Sequence, residues 1–401
     1  MTQSESGTLA VQKLFKEKFG YTPTHTIKAP GRLELLGNHT DYNEGLVMSL
    51  AVDKYLFIAA SPRTDGKIEL VSTAFPEREL FSISELKKNP QAPWADYVKG
   101  VLDQLRKHGV QFSGFSAAIH GTVPMGAGMS SSAALEVVTA MTIRKLFPFI
   151  LTETASRKPA RGEEDAEVTR DEKLQLAKLC QKAENQFVGV QCGILDQISS
   201  LFGKSFHAIE IDCQSLSVEH VPMIGEIAIL ICNSGVKHSL VGGEYNELRE
   251  MCESAARKMG VKALRSVDIR MLNASRDKLT EREFQCAYHV VGEIQRVIAG
   301  ATALRSDDFV QFGQFMFQSH ESSRDYFKNS TKELDLLVEL ARKHPGILGA
   351  RLTGGGFGGA TINLIKRDAI ESFSEYMAAE YQKSTGIQMS PLLCQIVDGA
   401  A

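Results

Sequence analysis

Arg32, Asn38, His39, Asp41 and Tyr42 fall within eleven positions of the stretch "APGRLELLGNHTDYNEG", between two apolar runs. That density of planar amide, carboxylate and imidazole groups suits a polyhydroxylated ligand, whose hydroxyls can be taken in pairs. A hydrogen-bonded turn at "HTDYNEG" is the structural alternative. A metal centre is poorly supported, because the segment has one imidazole and no second histidine at ligand spacing.

A second group lies in "PMGAGMSSSAALE", residues 124–136. Gly126, Ala127, Gly128 and Met129 precede Ser130, Ser131 and Ser132 at the start of an apolar, helix-spaced run. Glycine lets backbone N–H groups approach phosphate oxygens with no Cβ in the way. A helix N-terminus adds unpaired N–H groups and the positive end of its dipole. A serine there can cap the helix or place its hydroxyl on a magnesium ion bound to the same phosphates. A tight turn with a serine cap is the alternative. With no lysine after Gly128 and no GxGxxG pattern, neither common nucleotide fingerprint applies, so charge neutralisation must come from elsewhere in the chain.

Two carboxylates are candidates for part of that work. In "KLQLAKLCQKAENQFVGVQCGILDQ", Glu184 shares a helical face with Ala177, Cys180 and Val188. An unpaired carboxylate on an apolar stripe is costly, and a metal or a lysine would account for one there. Asp196 lies in an otherwise apolar segment and reads either as a helix N-cap or as the group that orients an incoming hydroxyl. Gly354-Gly355-Gly356-Phe357-Gly358-Gly359 implies a close backbone approach, a moving segment, or simple loop flexibility. Trp94 and Tyr97 suit either an adenine pocket or a core.

Strands and helices must hold these groups. The pattern predicts a helix over 9–19, a strand at "TIKAPGRLELLG" interrupted at Pro30-Gly31, and two β-prone runs on either side of Asp53-Lys54. Further strands are expected at "KIELVST" and "GFSAAIHGTVP". Helices are expected at "WADYVKGVLDQLRKHG", stopped by Gly109, and from Ser131 to Phe147. Residues 151–172 are polar and read as an exposed excursion between two helices of one domain. Strand patterns return near 205, long helical stretches occupy 243–258, 279–298 and 306–320, and a final strand follows the glycine-rich turn. Two domains sharing a cleft, 1–205 and 206–401, are expected.

The 401-residue length allows two cores. With 45 Lys+Arg against 48 Asp+Glu and a formal charge of -3, the chain has no basic excess for nucleic acid. Its seven cysteines form no CxxC pair, which argues against a zinc ribbon or dithiol redox centre. The N-terminus has no apolar core of signal-peptide length, and no stretch is apolar enough to span a membrane. A cytoplasmic location is expected, with monomer as the default state.

Together these segments resemble the GHMP small-molecule kinases and, among them, the galactokinases. "APGRLELLGNHTDYNEG" is similar to the galactokinase signature, "PMGAGMSSSAALE" to the family's phosphate-binding motif, and "LTGGGFGGATINLI" to its third motif. "AENQFVGVQCGILDQISS", "WADYVKGV", "VKHSLVGGEY" and "SHESSRDYF" extend the likeness from about residue 25 to 400. The resemblance implies an α+β fold of two domains, with the active site in the cleft between them. It implies transfer of the ATP γ-phosphoryl to the anomeric hydroxyl of a galactose-like sugar. It further implies catalytic roles for Asp196 and Arg32, magnesium ligation by Ser132 and Glu184, and phosphate contacts from 126–132. Sugar contacts are implied for Asn38, His39, Asp41 and Tyr245.

One position departs from the family pattern. Galactokinases usually read "GEH" where this chain has Gly37-Asn38-His39, and the family glutamate contacts the C6 end of the sugar. A pentose or uronic acid is therefore an alternative substrate to galactose. A non-catalytic sugar and ATP sensor is the alternative from another class, opposed by the intact Ser131-Ser132-Ala133-Ala134 and Asp196. The sugar-type "HTDY" and "HSLVGGEY" segments oppose an isoprenoid or amino-acid alcohol as substrate.

Overall fold

The structure, a computed structural model, describes residues 2–124, 128–163, 166–237 and 241–400. Its strands are β1 His25–Leu36, β2 Leu46–Pro62, β3 Lys67–Ser72, β4 Glu79–Ser82, β5 Phe115–Gly121, β6 Ile150–Leu151 and β7 Ser156–Arg157. They continue as β8 His207–Asp212, β9 Ser217–Pro222, β10 Ile227–Lys237, β11 Ile347–Thr353, β12 Gly358–Lys366 and β13 Leu392–Cys394. The helices of the first half are α1 Gln3–Phe19, α2 Ala95–Lys107, α3 Ser131–Leu146, α4 Arg170–Lys182 and α5 Leu195–Phe202. Those of the second are α6 Val241–Met259, α7 Ile269–Ala274, α8 Glu281–Arg305, α9 Phe309–Ser322, α10 Lys332–Lys343 and α11 Ile370–Thr385.

Among the described residues, a seven-stranded sheet runs β4-β3-β5-β2-β8-β9, with β1 also paired to β2. A four-stranded sheet runs β11-β12-β10-β13, and β6-β7 form a small separate hairpin within the expected polar excursion. Because β8 and β9 join the first sheet, that sheet crosses the boundary expected near 205. No described helix is long and apolar enough to cross a membrane.

The two apolar runs around Asp53-Lys54 form one strand. Pro30 pairs with Tyr55 but Gly31 with Val52, so Asp53 and Lys54 are the extra residues of a bulge opposite the Pro30-Gly31 break. The ammonium of Lys54 is held there by Asp53 at 2.7 Å and the Leu393 carbonyl at 3.3 Å. Strand alternation explains why β2 is apolar at nearly every position: Tyr55, Phe57 and Ala59 face α1, whereas Leu56, Ile58 and Ala60 face the main core. Gly7 of α1 lies against the Phe57 ring, where a Cβ would come within 2.2 Å of it. Helix α1 begins earlier than the spacing predicts because Thr2 and Glu5 form a capping box.

The second sheet is joined to α9 by glycine on both sides. A Cβ on Gly313 would sit 2.0 Å from the Leu348 carbonyl oxygen, and one on Gly349 would sit 2.4 Å from the Gly313 Cα. This close approach places β11, which leads into Gly354 and Gly355, beside the helix that leads into residues 323–327. Gly313→Ala is expected to destabilise the protein by roughly 1–3 kcal/mol through overpacking, visible as a lower melting temperature. An unchanged melting temperature would show that the helix can move away without loss.

Candidate active site

Strand β1 delivers Arg32 and Glu34 to one face, since residues two apart on a strand point the same way. Arg32 donates its Nε–H to Asp196 Oδ1 at 2.6 Å and an Nη1–H to the Gly128 carbonyl. Its backbone N–H donates to the Met129 carbonyl at 3.2 Å. The Ser130 hydroxyl donates to the other Asp196 oxygen. Asp196 lies in the first turn of α5 but is not its cap: that position is Ile194, which makes no side-chain capping bond. Ser130, likewise, spends its hydroxyl on Asp196 rather than on capping α3, and adopts a left-handed φ of 48°. Such backbone strain in a non-glycine residue persists only where its surroundings enforce it.

Gly128 shows what the glycines of this segment leave room for on the described side. At φ 67° it packs on β11, where a Cβ would stand 2.7 Å from the Thr353 carbonyl oxygen, and Gly354 faces it in turn. The phosphate-type loop and the third glycine-rich motif thus lie backbone against backbone. Met129 is buried, and Ser131 opens α3. Gly126 and Ala127 lie outside the described residues, as do His238, Ser239 and Leu240 of the "VKHSLVGGEY" stretch.

A cavity of about 400 Å³ adjoins Asp196, and Arg32, Glu34, Asn38, His39, Asp41, Glu184, Tyr245 and Gly354 are among its lining residues. Both halves of the chain contribute to it. Burial and then the charge of Asp196 push the Asp41 carboxyl up to about 7. Gly193 makes room for that carboxylate, since a Cβ there would fall 1.7 Å from Asp41 Oδ2. Burial lowers the His39 imidazole to about 4, so the ring is neutral. Its Nε2 faces the Gly355 carbonyl at 3.0 Å and must carry the hydrogen, leaving Nδ1 to accept from the Tyr42 hydroxyl at 2.8 Å. Tyr245 packs its ring on His39 with centroids 4.9 Å apart.

Asn38 is 1% exposed, and its amide is saturated by protein. Its Nδ2 donates to Glu34 Oε1 at 2.9 Å and to the Gly354 carbonyl at 2.8 Å. Its Oδ1 accepts from Asn329 at 2.9 Å and from Ser323 at 3.4 Å. The loop is fixed by Glu293, whose Oε2 accepts the N–H groups of Gly37 and Asn38 at 2.9 and 3.0 Å. Burial pushes Glu293 up, but the charge of Arg296 and further cations outweigh it and hold the carboxyl at about 2.

Glu184 sits in a π-helical turn, Ala183–Val188, that continues α4 and stops at Gly189. Such turns recur at functional sites because they re-aim a side chain. Burial and the charge of Asp196 raise Glu184 to about 7, while hydrogen bonds from Cys192, Ser132 and Gln197 oppose the rise. Gln197 Nε2 bridges Glu184 and the fully buried Glu136, at 3.0 Å each. This crowd of carboxylates and hydroxyls suits a hard divalent cation. Among the described residues no three His, Cys, Asp or Glu side chains could cage a metal, so further ligands would come from phosphate and water. Trp94 is core, stacked on Phe75 at 5.6 Å.

Sequence reasoning passed over Glu34, Gly193, Gln197 and Arg351. For Glu34 a signal existed: it alternates with Arg32 on a strand. The others depend on contacts between distant segments.

These parts define a kinase cleft of the GHMP type. The models for the GHMP kinases N-terminal domain and the GHMP kinases C-terminal match residues 96–204 and 301–383, and that for the galactokinase galactose-binding signature matches 13–62. The galactokinase of Bos taurus is 40% identical over 99% of this chain and 97% of its own length. That of Roseiflexus sp. strain RS-1 is 38% identical over 97% and 95%. The crystal structure of Lactococcus lactis galactokinase complexed with galactose matches with a TM-score of 0.89 and 31% identity, over 98% of this chain and 99% of that one. The chain belongs to the galactokinase family.

The crowding has a measurable consequence. In ¹³C carboxyl NMR, Asp41 should titrate near pH 7, where its carboxyl is half ionised. In Asp196→Asn its midpoint should fall, because removing a neighbouring negative charge favours the carboxylate. An unmoved midpoint would mean that burial alone sets it.

Proposed function

We propose that this protein transfers the γ-phosphoryl group of ATP to the anomeric C1 hydroxyl of galactose, giving galactose 1-phosphate and ADP. The observation that carries the reading is the Asp196 carboxylate, clamped by Arg32 and Ser130 at the wall of a sugar-sized cavity. The family's membership in the sugar-kinase class supports it.

In this reading the sugar hydroxyl lies against Asp196, which fixes its oxygen in line with the γ-phosphorus and takes its proton. The new C–O–P linkage forms as the bond from the γ-phosphorus to the ADP oxygen breaks. Phosphoryl transfer depends chiefly on positioning and charge stabilisation, and the two bonds that hold Asp196 restrict it to one orientation. Arg32 offers its guanidinium to the charge that develops on the transferring group. The N-terminal end of α3 and the segment 128–132 favour the phosphates, with Gly126 and Ala127 assigned to the same segment by sequence. Asp41 and Tyr245 face the sugar, while His39 and Asn38, whose polar atoms are engaged with protein, set the shape of the wall.

Ser132 and Glu184 would hold Mg²⁺, which when bound neutralises phosphate charge. Without a cation, Glu184 is opposed by Asp196 and shares Gln197 with Glu136.

Purified protein should form galactose 1-phosphate from galactose and ATP. Asp196→Asn should bind ATP normally but lose about 10²–10⁴ in kcat, the range of a positioned proton-transfer group. Turnover within a few-fold of the parent protein would overturn the assignment. Ser132→Ala and Glu184→Gln should each shift the Mg²⁺ dependence of the rate to higher concentration, as each removes one oxygen ligand. A metal titration that overlays the parent curve for Glu184→Gln would leave that carboxylate a structural role only.

A further inference from the structure

We infer that Glu34 is the carboxylate that reads the hydroxyls of the sugar at the ring end opposite the reacting carbon, the contact that the sequence suggests for Asn38. This rests on the sugar-kinase reading of the cleft and names a specificity-determining residue within it.

Asn38 has nothing left to offer. An amide has two N–H donors and two acceptor lone pairs, and all four are used by Glu34, Gly354, Asn329 and Ser323. Glu34 is the opposite case. Both of its hydrogen bonds, from Asn38 Nδ2 and from Arg351 Nη1, end on Oε1 at 2.9 Å. Oε2 accepts from no described residue, yet it is not among the polar atoms sealed away without a partner. Glu34 lines the cavity, so this oxygen is the one the cavity can reach.

Its charge state follows from its neighbour. Arg351 is fully buried, Glu34 is its ion-pair partner, and the remaining guanidinium nitrogens Nε and Nη2 have no partner among the described residues. A protonated Glu34 would strand that cation in the interior, where an unpaired charge is costly. Burial is the larger influence and leaves the Glu34 carboxyl above its usual range, against Arg351 and then Arg32. The geometry of the buried Arg351 partner is what favours the ionised form. An ionised carboxylate only accepts hydrogen bonds, so its ligand must donate, as a sugar hydroxyl does.

Position along the strand says which hydroxyl. Arg32 and Glu34 point to the same face, separated by about 7 Å at a rise of roughly 3.3 Å per residue. That is the scale of a pyranose ring. With C1 held at Arg32 and Asp196, Glu34 meets the C4 and C6 side. A substrate with a C6 carboxylate would bring a second negative charge to this oxygen, which disfavours a uronic acid.

The test compares galactose with 2-deoxy-, 4-deoxy- and 6-deoxygalactose. The parent protein should prefer galactose over the 4-deoxy or the 6-deoxy sugar by roughly 10–100-fold in kcat/KM, the scale of a charge-assisted hydrogen bond. Glu34→Gln should reduce that preference to within about threefold, leaving the 2-deoxy ratio unchanged. A structural role would lower all four values in proportion, and that result would overturn the inference. Because Glu34→Gln strands Arg351, Glu34→Gln with Arg351→Met is measured in parallel. The same selective loss is expected, and retention of the parent hydroxyl profile would again overturn it. Absence of galactose turnover by the parent protein would instead end the galactose-kinase reading itself.

Discussion

The ion pair between Arg32 and Asp196 joins residues 164 positions apart and ties strand β1 to helix α5. Around it lie the Gly128 carbonyl, the Met129 carbonyl and the Ser130 hydroxyl, so one guanidinium and one carboxylate organise the entry to α3 as well. Breaking a fully buried pair costs about 3–5 kcal/mol; with Asp196 22% exposed the cost here is lower. Its larger effect is geometric, since each partner removes a degree of freedom from the other.

That pair also acts in a field of like charge. Asp41, Asp196 and Glu184 share one cleft, and Asp196 contributes to the raised pKa of both neighbours. A second group of charges lies beneath the wall formed by residues 37–39, where Glu293 faces Arg296. The two groups behave differently. Glu293 has close cations and several donors and is held at about 2, whereas Asp41 has Arg32 only as a weaker influence and rises to about 7. Carboxylates completed within the protein build the wall, and those left incomplete face the cavity, where hydroxyls and a cation can complete them.

Backbone contact rather than side-chain packing links the two glycine-bearing motifs. Gly128 meets Thr353 and Gly354, and Gly313 meets Leu348 and Gly349, each at separations that exclude a methyl group. Rigid approach of this kind transmits position directly from the second sheet to the loop ahead of α3. It also explains why glycine at 128 is required by protein neighbours as well as by any phosphate.

Local patterns in the sequence determined a great deal. The strand broken at Pro30-Gly31, the helix from Ser131, and the polar crowding at residues 32–42 each follow from short-range periodicity and residue type, and the structure has them where the pattern predicts. The order of three glycine- and serine-bearing motifs was enough to indicate the family. What the tertiary structure alone decided is which polar atoms remain free. Asn38 and Glu34 look equally available in the chain, but contacts from Asn329, Ser323, Gly354 and Arg351 consume one completely and leave the other an open oxygen. The physical reason is that hydrogen-bond capacity is spent by partners nearly 300 residues away, and no local spacing records that spending.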